Sequence, residues 1–214
     1  MPQQATRTTQ RHLVHVDRGP HIRLGTSLAL TMATLLASAE AAAAPVTYTV
    51  DPDHTYPSFE ADHMGISVWR GKMTKTSGTI VYDKSDGSGS VDITIDPDSI
   101  DFGQKQLNNW ARGEQFFNTG EFPTARYMGR FDSPSNGVPT RVTGQLTLHG
   151  VTRPVNLDIA WIKCTTHPLF KREVCGADAS GTFNRDEFKL GAGKDYGFKM
   201  DVNLRIQVEA LAPR

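Results

Sequence analysis

From Pro45 onward the chain alternates. Met200, Val202, Leu204, Ile206 and Val208 take every second position among Asp201, Asn203, Arg205, Gln207 and Glu209. A period of two puts the apolar groups on one side of an extended strand, so one face is dry and the other wet. Val91, Ile93 and Ile95 repeat the pattern, as do Val155, Leu157, Ile159 and Trp161; weaker alternation marks 46–50, 56–64, 70–83, 124–131, 138–149 and 176–184. About eight strands are predicted. Turn-forming clusters separate them: SDGSGS at 85–90, SPSNG at 133–137, HPLFKREVCG at 167–176 and GAGKDYG at 191–197. The stretch GQKQLNNWARGEQFF, 103–117, has no alternation, and Leu107, Trp110 and Ala111 share a helical face there, which predicts a short helix near 104–113. Strands joined by short hairpins without alternating helices give an all-β fold, either an antiparallel sandwich or an up-and-down barrel.

What the dry faces enclose is the functional question. Ala61, Gly129, Gly144, Ala177, Ala179 and Gly181 fall on the predicted inner face beside large apolar groups. Side chains this small leave the middle of an eight-stranded barrel unfilled, and such a barrel can hold one small guest. They also suit a tapering, solid sheet. In QLTLHGVTRPVNLDI, 145–159, the predicted wall is Leu146, Leu148, Val155, Leu157 and Ile159, with Thr147, Asn156 and Asp158 in water. Trp69, Phe102, Trp110, Phe116, Phe117, Phe122, Phe188 and Phe198 cluster in connections, where they line a mouth or plug it.

The first residues read differently. Arg18, His21 and Arg23 precede the apolar run LGTSLALTMATLLAS and the small-residue tract AEAAAA, the pattern of a secretory signal peptide. The run is shorter than the roughly 20 residues that span a bilayer, so a stable membrane anchor is not expected. Residues 1–44 are read as a cleaved leader and 45–214 as one exported, periplasmic domain. The whole chain has 23 basic and 23 acidic residues; losing four arginines with Asp17 and Glu40 leaves a slight acidic excess, which offers nothing to nucleic acid. In an oxidising compartment Cys164 and Cys175 read as a disulfide, and zinc held with His167 is the alternative, one ligand short of a structural site.

Catalytic patterns are missing. His54, His63, His149 and His167 form no metal or nucleophile motif, and DPDH at 51–54 and DPDS at 96–99 read as turns rather than calcium loops. No cofactor and no metal are expected, and the domain is not read as an enzyme. The rival reading makes His63 the general base of an enzyme acting on an apolar substrate. A third is a solid sandwich serving as an interaction module.

An ordered series, YTVDPDHTYPSFEADHMGISVWRGKM, SVDITIDPDSIDFG, FFNTGEFPTARYMG, GQLTLHGVTRPVNL and VNLRIQVEA, resembles the YceI-like family of bacterial lipid- or polyisoprenoid-binding proteins. The resemblance implies a lipocalin-like, extended eight-stranded antiparallel barrel holding a long isoprenoid chain, with no catalytic residue. Lys189 stands where the family commonly has Gly, and Asn118 where Asp is usual. Taken with the alternation, the expected cavity wall is Phe59, Ala61, His63, Ile66, Trp69, Leu107, Trp110, Phe116, Phe117, Tyr127, Phe131, Leu146, Leu148, Trp161, Phe183, Phe198 and Leu204. His63, Arg112 and Arg126 are the head-group candidates. The expected partner is a polyisoprenoid or related lipid, and a homodimer is compatible with the chain.

Overall fold

The computed structural model describes residues 44–132 and 134–214, so the predicted leader lies, but for Ala44, outside the described residues. The strands are β1 (Val46–Val50), β2 (Tyr56–His63), β3 (Ser67–Met73), β4 (Thr76–Tyr82), β5 (Gly89–Ile95), β6 (Ile100–Asp101), β7 (Ala125–Asp132), β8 (Arg141–Leu148), β9 (Val151–Pro154), β10 (Leu157–Thr166), β11 (Glu173–Asn184) and β12 (Asp201–Leu211), with one helix, α1 (Lys105–Arg112).

Several of these are halves of one kinked strand. β1 and β2 are separated by the DPDH turn, where Asp51 Oδ1 accepts the Asp53 N–H at 3.0 Å. β3 and β4 break at Thr74–Lys75, and β5 and β6 at the 3-10 turn Pro97–Ser99. Those two breaks lie side by side, because Ser99 Oγ accepts both the Thr74 and Lys75 N–H groups, at 3.1 and 3.0 Å. β9 and β10 likewise make one strand around Val155–Asn156, both paired with β8. Counted this way the strands form a closed eight-stranded antiparallel barrel in up-and-down order. β12 closes it, pairing with β11 on one side and with both β1 and β2 on the other. Closure satisfies the backbone groups an open edge would leave bare.

Alternation fixes which side chains point inward, with one exception. A bulge between Ile159 and Trp161 inserts a residue into β10 opposite β11. A bulge shifts the parity of everything after it. Ile162 therefore joins the inner wall, and Trp161, expected there, is 52% exposed. On the outside, cross-strand ion pairs such as Arg141–Asp158 at 2.9 Å and Arg70–Glu60 at 2.8 Å take the polar positions.

The helix forms where alternation stops. The Gln104 side chain caps it by accepting the Leu107 N–H, and Gly113 ends it. It is tied to one end of the barrel by Asn108, whose Oδ1 accepts the Phe102 N–H at 2.8 Å and whose Nδ2 donates to Asp101 Oδ1 at 3.0 Å. Cys164 and Cys175 face each other on β10 and β11 and form a disulfide.

Candidate functional site

The barrel encloses a cavity of about 270 Å³, walled by inward side chains from all round the sheet. Phe59, Ile80, Ile93, Leu146, Leu204 and Ile206 face that space and pack against the core, yet are only partly buried. An apolar side chain that points inward and still has free surface borders empty volume rather than packed neighbours. The room comes from alanines: Ala61, Ala177 and Ala179 all line it. The glycines contribute less than their size suggests. A Cβ at Gly144 would lie 2.4 Å from Tyr127 Oη, and one at Gly129 would lie 2.5 Å from Val142 Cγ1. Their neighbours already occupy that space.

The two ends of the cavity differ. At the end of β4 and the start of β11, Tyr48 (1% exposed), Tyr82 and Ala210 form a packed cluster against Phe131 and the disulfide. Tyr48 Oη donates to Glu173 Oε2 at 2.7 Å, while Lys84 Nζ holds Oε1 at 2.6 Å. Burial first, and the neighbouring carboxylate second, push the Tyr48 hydroxyl well above the usual tyrosine range. It stays a neutral donor.

The other end, capped by α1, the β2–β3 hairpin and the segment after β11, is a ring of aromatic groups. Trp110 is stacked on Phe116 at 5.2 Å, and Phe116 meets Phe117 edge-on at 4.7 Å. Phe59 and Trp69 both pack edge-on to Phe102. Trp110 remains 41% exposed, which makes this the accessible end.

Of the expected wall, Phe59, Ala61, Trp69, Trp110, Phe116, Phe117, Tyr127, Phe131, Leu146, Leu148, Phe183, Phe198 and Leu204 line the cavity. His63 does not reach it: its ring stacks on Trp69 at 4.1 Å and meets Phe198 at 4.9 Å, backing two lining residues from the rim. Leu107 sits half-buried on α1, off the wall, and Ile66 is 77% exposed beyond β2 because the turn at Met64 and Gly65, both at positive φ, carries it outward. Both arginines proposed for a head group are placed elsewhere. Arg126 makes a two-point contact with Asp92 on the outer face, at 2.8 and 2.6 Å, since residue 126 has the opposite parity to the inward Tyr127. Arg112 Nε donates to the carbonyl of Asp98 at 2.7 Å, anchoring the helix to the Pro97–Ser99 turn.

Arg185 was not anticipated. It is 6% exposed and lies on the cavity wall, where its guanidinium donates to the carbonyls of Leu190 and, at 2.7 Å, Ala192. It also lies 5.7 Å over the Phe116 ring. Burial pulls its pKa down, and among the described residues no carboxylate forms an ion pair with it; adjacent Asp186 is bonded to Lys194. The signal was in the sequence: Ala177, Ala179, Gly181, Phe183 and Arg185 share one parity. A second polar atom on the wall, the buried Thr76 Oγ1, has no hydrogen-bond partner among the described residues. Other polar lining groups are engaged: Tyr127 Oη donates to the Val155 carbonyl at 2.9 Å, Thr55 Oγ1 to that of Glu209 at 3.1 Å, and Asp62 accepts the Lys199 N–H at 3.2 Å.

Outside the cavity, Asp51, His54 and Glu209 bring three ligand-type atoms within 4.8 Å of one another. Asp51 Oδ2 is already hydrogen-bonded to His54 Nδ1 at 2.9 Å, and its Oδ1 accepts the Asp53 N–H within the turn. The thiols considered for zinc are consumed by the disulfide.

The sequence pattern of the YceI-like domain matches residues 48–210. A UPF0312 protein of Pectobacterium atrosepticum is 31% identical over 189 residues, 87% of this chain and 96% of that protein. The crystal structure of BcnA from Burkholderia cenocepacia superimposes with a TM-score of 0.59 at 23% identity, covering 72% of this chain and 96% of that one. A polyisoprenoid binding domain from Saccharophagus degradans, implicated in plant cell wall breakdown, gives a TM-score of 0.56 at 16% identity, covering 78% and 99%. At these identities the solved structures show the shared barrel.

Proposed function

The chain belongs to the YceI-like domain family, and from that premise we propose that the protein binds a long apolar chain of isoprenoid type inside its barrel and shields it from water. The observation that carries this reading is the cavity itself, a lumen walled by inward apolar side chains that retain free surface. Each CH₂ moved from water into such a space contributes about 0.8 kcal/mol. A prenyl tail can therefore be held with little directed polar contact. The leader-like N-terminus and the periplasmic setting it implies make sequestration or carriage through an aqueous compartment the natural role. The polyisoprenoid binding named for the Saccharophagus degradans domain supports the ligand class.

Catalysis is the weaker reading. A general base needs a group that orients it and a substrate within reach, whereas the His63 ring is engaged with Trp69 and Phe198. Native mass spectrometry of the protein purified from its own host, followed by solvent extraction, tests the proposal. A mass increment that releases a long apolar lipid is expected; protein that carries none, and takes up none from added prenyl alcohols, contradicts it.

A further inference from the structure

Arg185 poses a problem that a purely apolar cargo does not solve. A guanidinium buried in an apolar wall loses its hydration, a cost that hydrogen bonds to neutral carbonyls offset only in part. It donates to two such carbonyls, Leu190 and Ala192, and lies over the face of Phe116. The nearest acid in sequence, Asp186, is bonded to Lys194 outside the lumen. Asp186 favours the charge from a distance, but no carboxylate among the described residues forms an ion pair with it. The guanidinium is held in place: the Asn184 side chain accepts the Asp186 N–H at 3.0 Å, and Lys189 closes the turn in a left-handed conformation, so the Arg185–Phe188 segment is fixed on both sides.

The position matters as much as the charge. Arg185 follows β11 at the accessible end, next to the Phe116 ring on which Trp110 stacks. An amphiphile entering tail-first would run its chain toward Tyr48 and Tyr82 and leave its head group beside this guanidinium. Arg binds phosphate and carboxylate through paired, charge-assisted N–H donors, which are about twice as strong as neutral hydrogen bonds.

We propose that Arg185 is the head-group anchor of the lumen and selects amphiphiles with an anionic head, phosphate or carboxylate, over neutral chains of equal length. This rests on the reading of the barrel as a container for an apolar chain. The reaction is binding alone, and nothing is transferred.

The test compares matched pairs of probes on the intact domain by fluorescence displacement: farnesyl phosphate against farnesol, and palmitate against hexadecanol. Farnesyl phosphate is expected to bind at least tenfold more tightly than farnesol. That ratio should fall to near one in Arg185→Met and should be largely kept in Arg185→Lys. Preference in the farnesyl pair but not the palmitate pair assigns the site to phosphate; the reverse assigns it to carboxylate. A wild-type ratio near one in both pairs overturns the proposal, as does a preference that survives intact in folded Arg185→Met. Should Arg185→Met fail to fold, the wild-type ratios decide together with Arg185→Lys: anion preference that persists in the lysine variant supports the site, and none in wild type removes it. If neither alcohol nor anion binds at all, the container reading itself fails, which is a different result from equal binding of both.

Discussion

The two ends of the barrel are both rich in aromatic side chains and are built to opposite effect. At the disulfide end the buried Tyr48 hydroxyl and its acid are matched inside the protein: Tyr48 donates to Glu173, and Glu173 also accepts from Lys84, whose contact is the main reason its carboxyl titrates below the usual range. The Cys164–Cys175 bond ties the neighbouring strands together. At the α1 end the rings of Trp110, Phe116 and Trp69 keep exposure, and the buried cation of Arg185 donates to neutral carbonyls and lies over a ring, with no ion pair among the described residues. Aromatic content does not separate core from site here. What separates them is whether the charged group among the rings is ion-paired: Glu173 is paired with Lys84, and among the described residues Arg185 has no such partner.

That contrast can be broken from either side. The largest effect is expected from Tyr48→Ala, which removes a fully buried ring from the closed end and should cost about 3–5 kcal/mol in urea unfolding. The ratio of phosphate to alcohol binding should not move, since Arg185 is at the other end. A loss under about 1 kcal/mol would mean that the closed end is not a packed core. Next, the double replacement Cys164→Ser and Cys175→Ser should lower stability by about 3 kcal/mol by the chain-entropy argument for a loop of this size. Binding of farnesol by the folded fraction should be retained, and its loss would place the ligand at the wrong end.

A smaller effect, on affinity alone, is expected from filling the lumen. Ala177→Phe projects a ring into free volume, so farnesol affinity should drop tenfold or more in the same displacement assay, while thermal stability holds or rises. Gly144→Phe serves as its contrast: its Cβ would already meet Tyr127, so it should destabilise by overpacking, about 1–3 kcal/mol. If both variants behave alike, the distinction between alanine-made space and glycine-made contact is wrong.

The smallest effect concerns pH. The hydrogen bond that His54 donates to Asp51 raises the His54 pKa above its ordinary 6.5. Burial opposes ionisation of Asp51, but the bonds from His54 and the Asp53 N–H overcome it and keep the carboxyl below its ordinary 3.8. The histidine's contribution is complete below 6.5 and disappears as pH rises through its raised value; the aspartate's is complete above 3.8 and disappears as pH falls through its lowered one. Stability should thus be slightly greater at mid-acid pH than above neutrality. With the His54 side chain 58% exposed, the difference stays under about 0.5 kcal/mol. His54→Ala should flatten it in melts across the range.

Much of this was legible from alternation. The period-two runs located the strands, and the break in alternation located α1, because both signals come directly from which positions meet water. Parity failed where the backbone changed its own count. The bulge after Ile159 turned Trp161 outward and Ile162 inward, and no residue type near Ala160 announced it. The run 70–83, read as one strand, is kinked at Thr74–Lys75, where Ser99 Oγ accepts both N–H groups from far along the chain; the DPDH and DPDS turns, which Asp51 and Asp96 hold from two residues away, were legible. Arg185 escaped for the opposite reason. Parity pointed it inward, but a charged residue at a strand end is ordinarily solvated, and only the carbonyls of Leu190 and Ala192 make its burial tolerable. Lys189 and Asn118, departures from the family pattern, both adopt positive φ, at 61° and 45°. Glycine is at ease at such a position, and asparagine tolerates it.

The claim on which the rest depends is that the chain lies in the lumen. Methyl-resolved NMR of the isotope-labelled domain during titration with farnesol tests it most directly. Shifts at Ile80, Ile93, Leu146, Leu204 and Ile206, all on the wall, with Ile66, Val68 and Leu169 unmoved on the exposed surface, are the predicted result. Shifts confined to those three surface residues, with the wall silent at saturation, would contradict it.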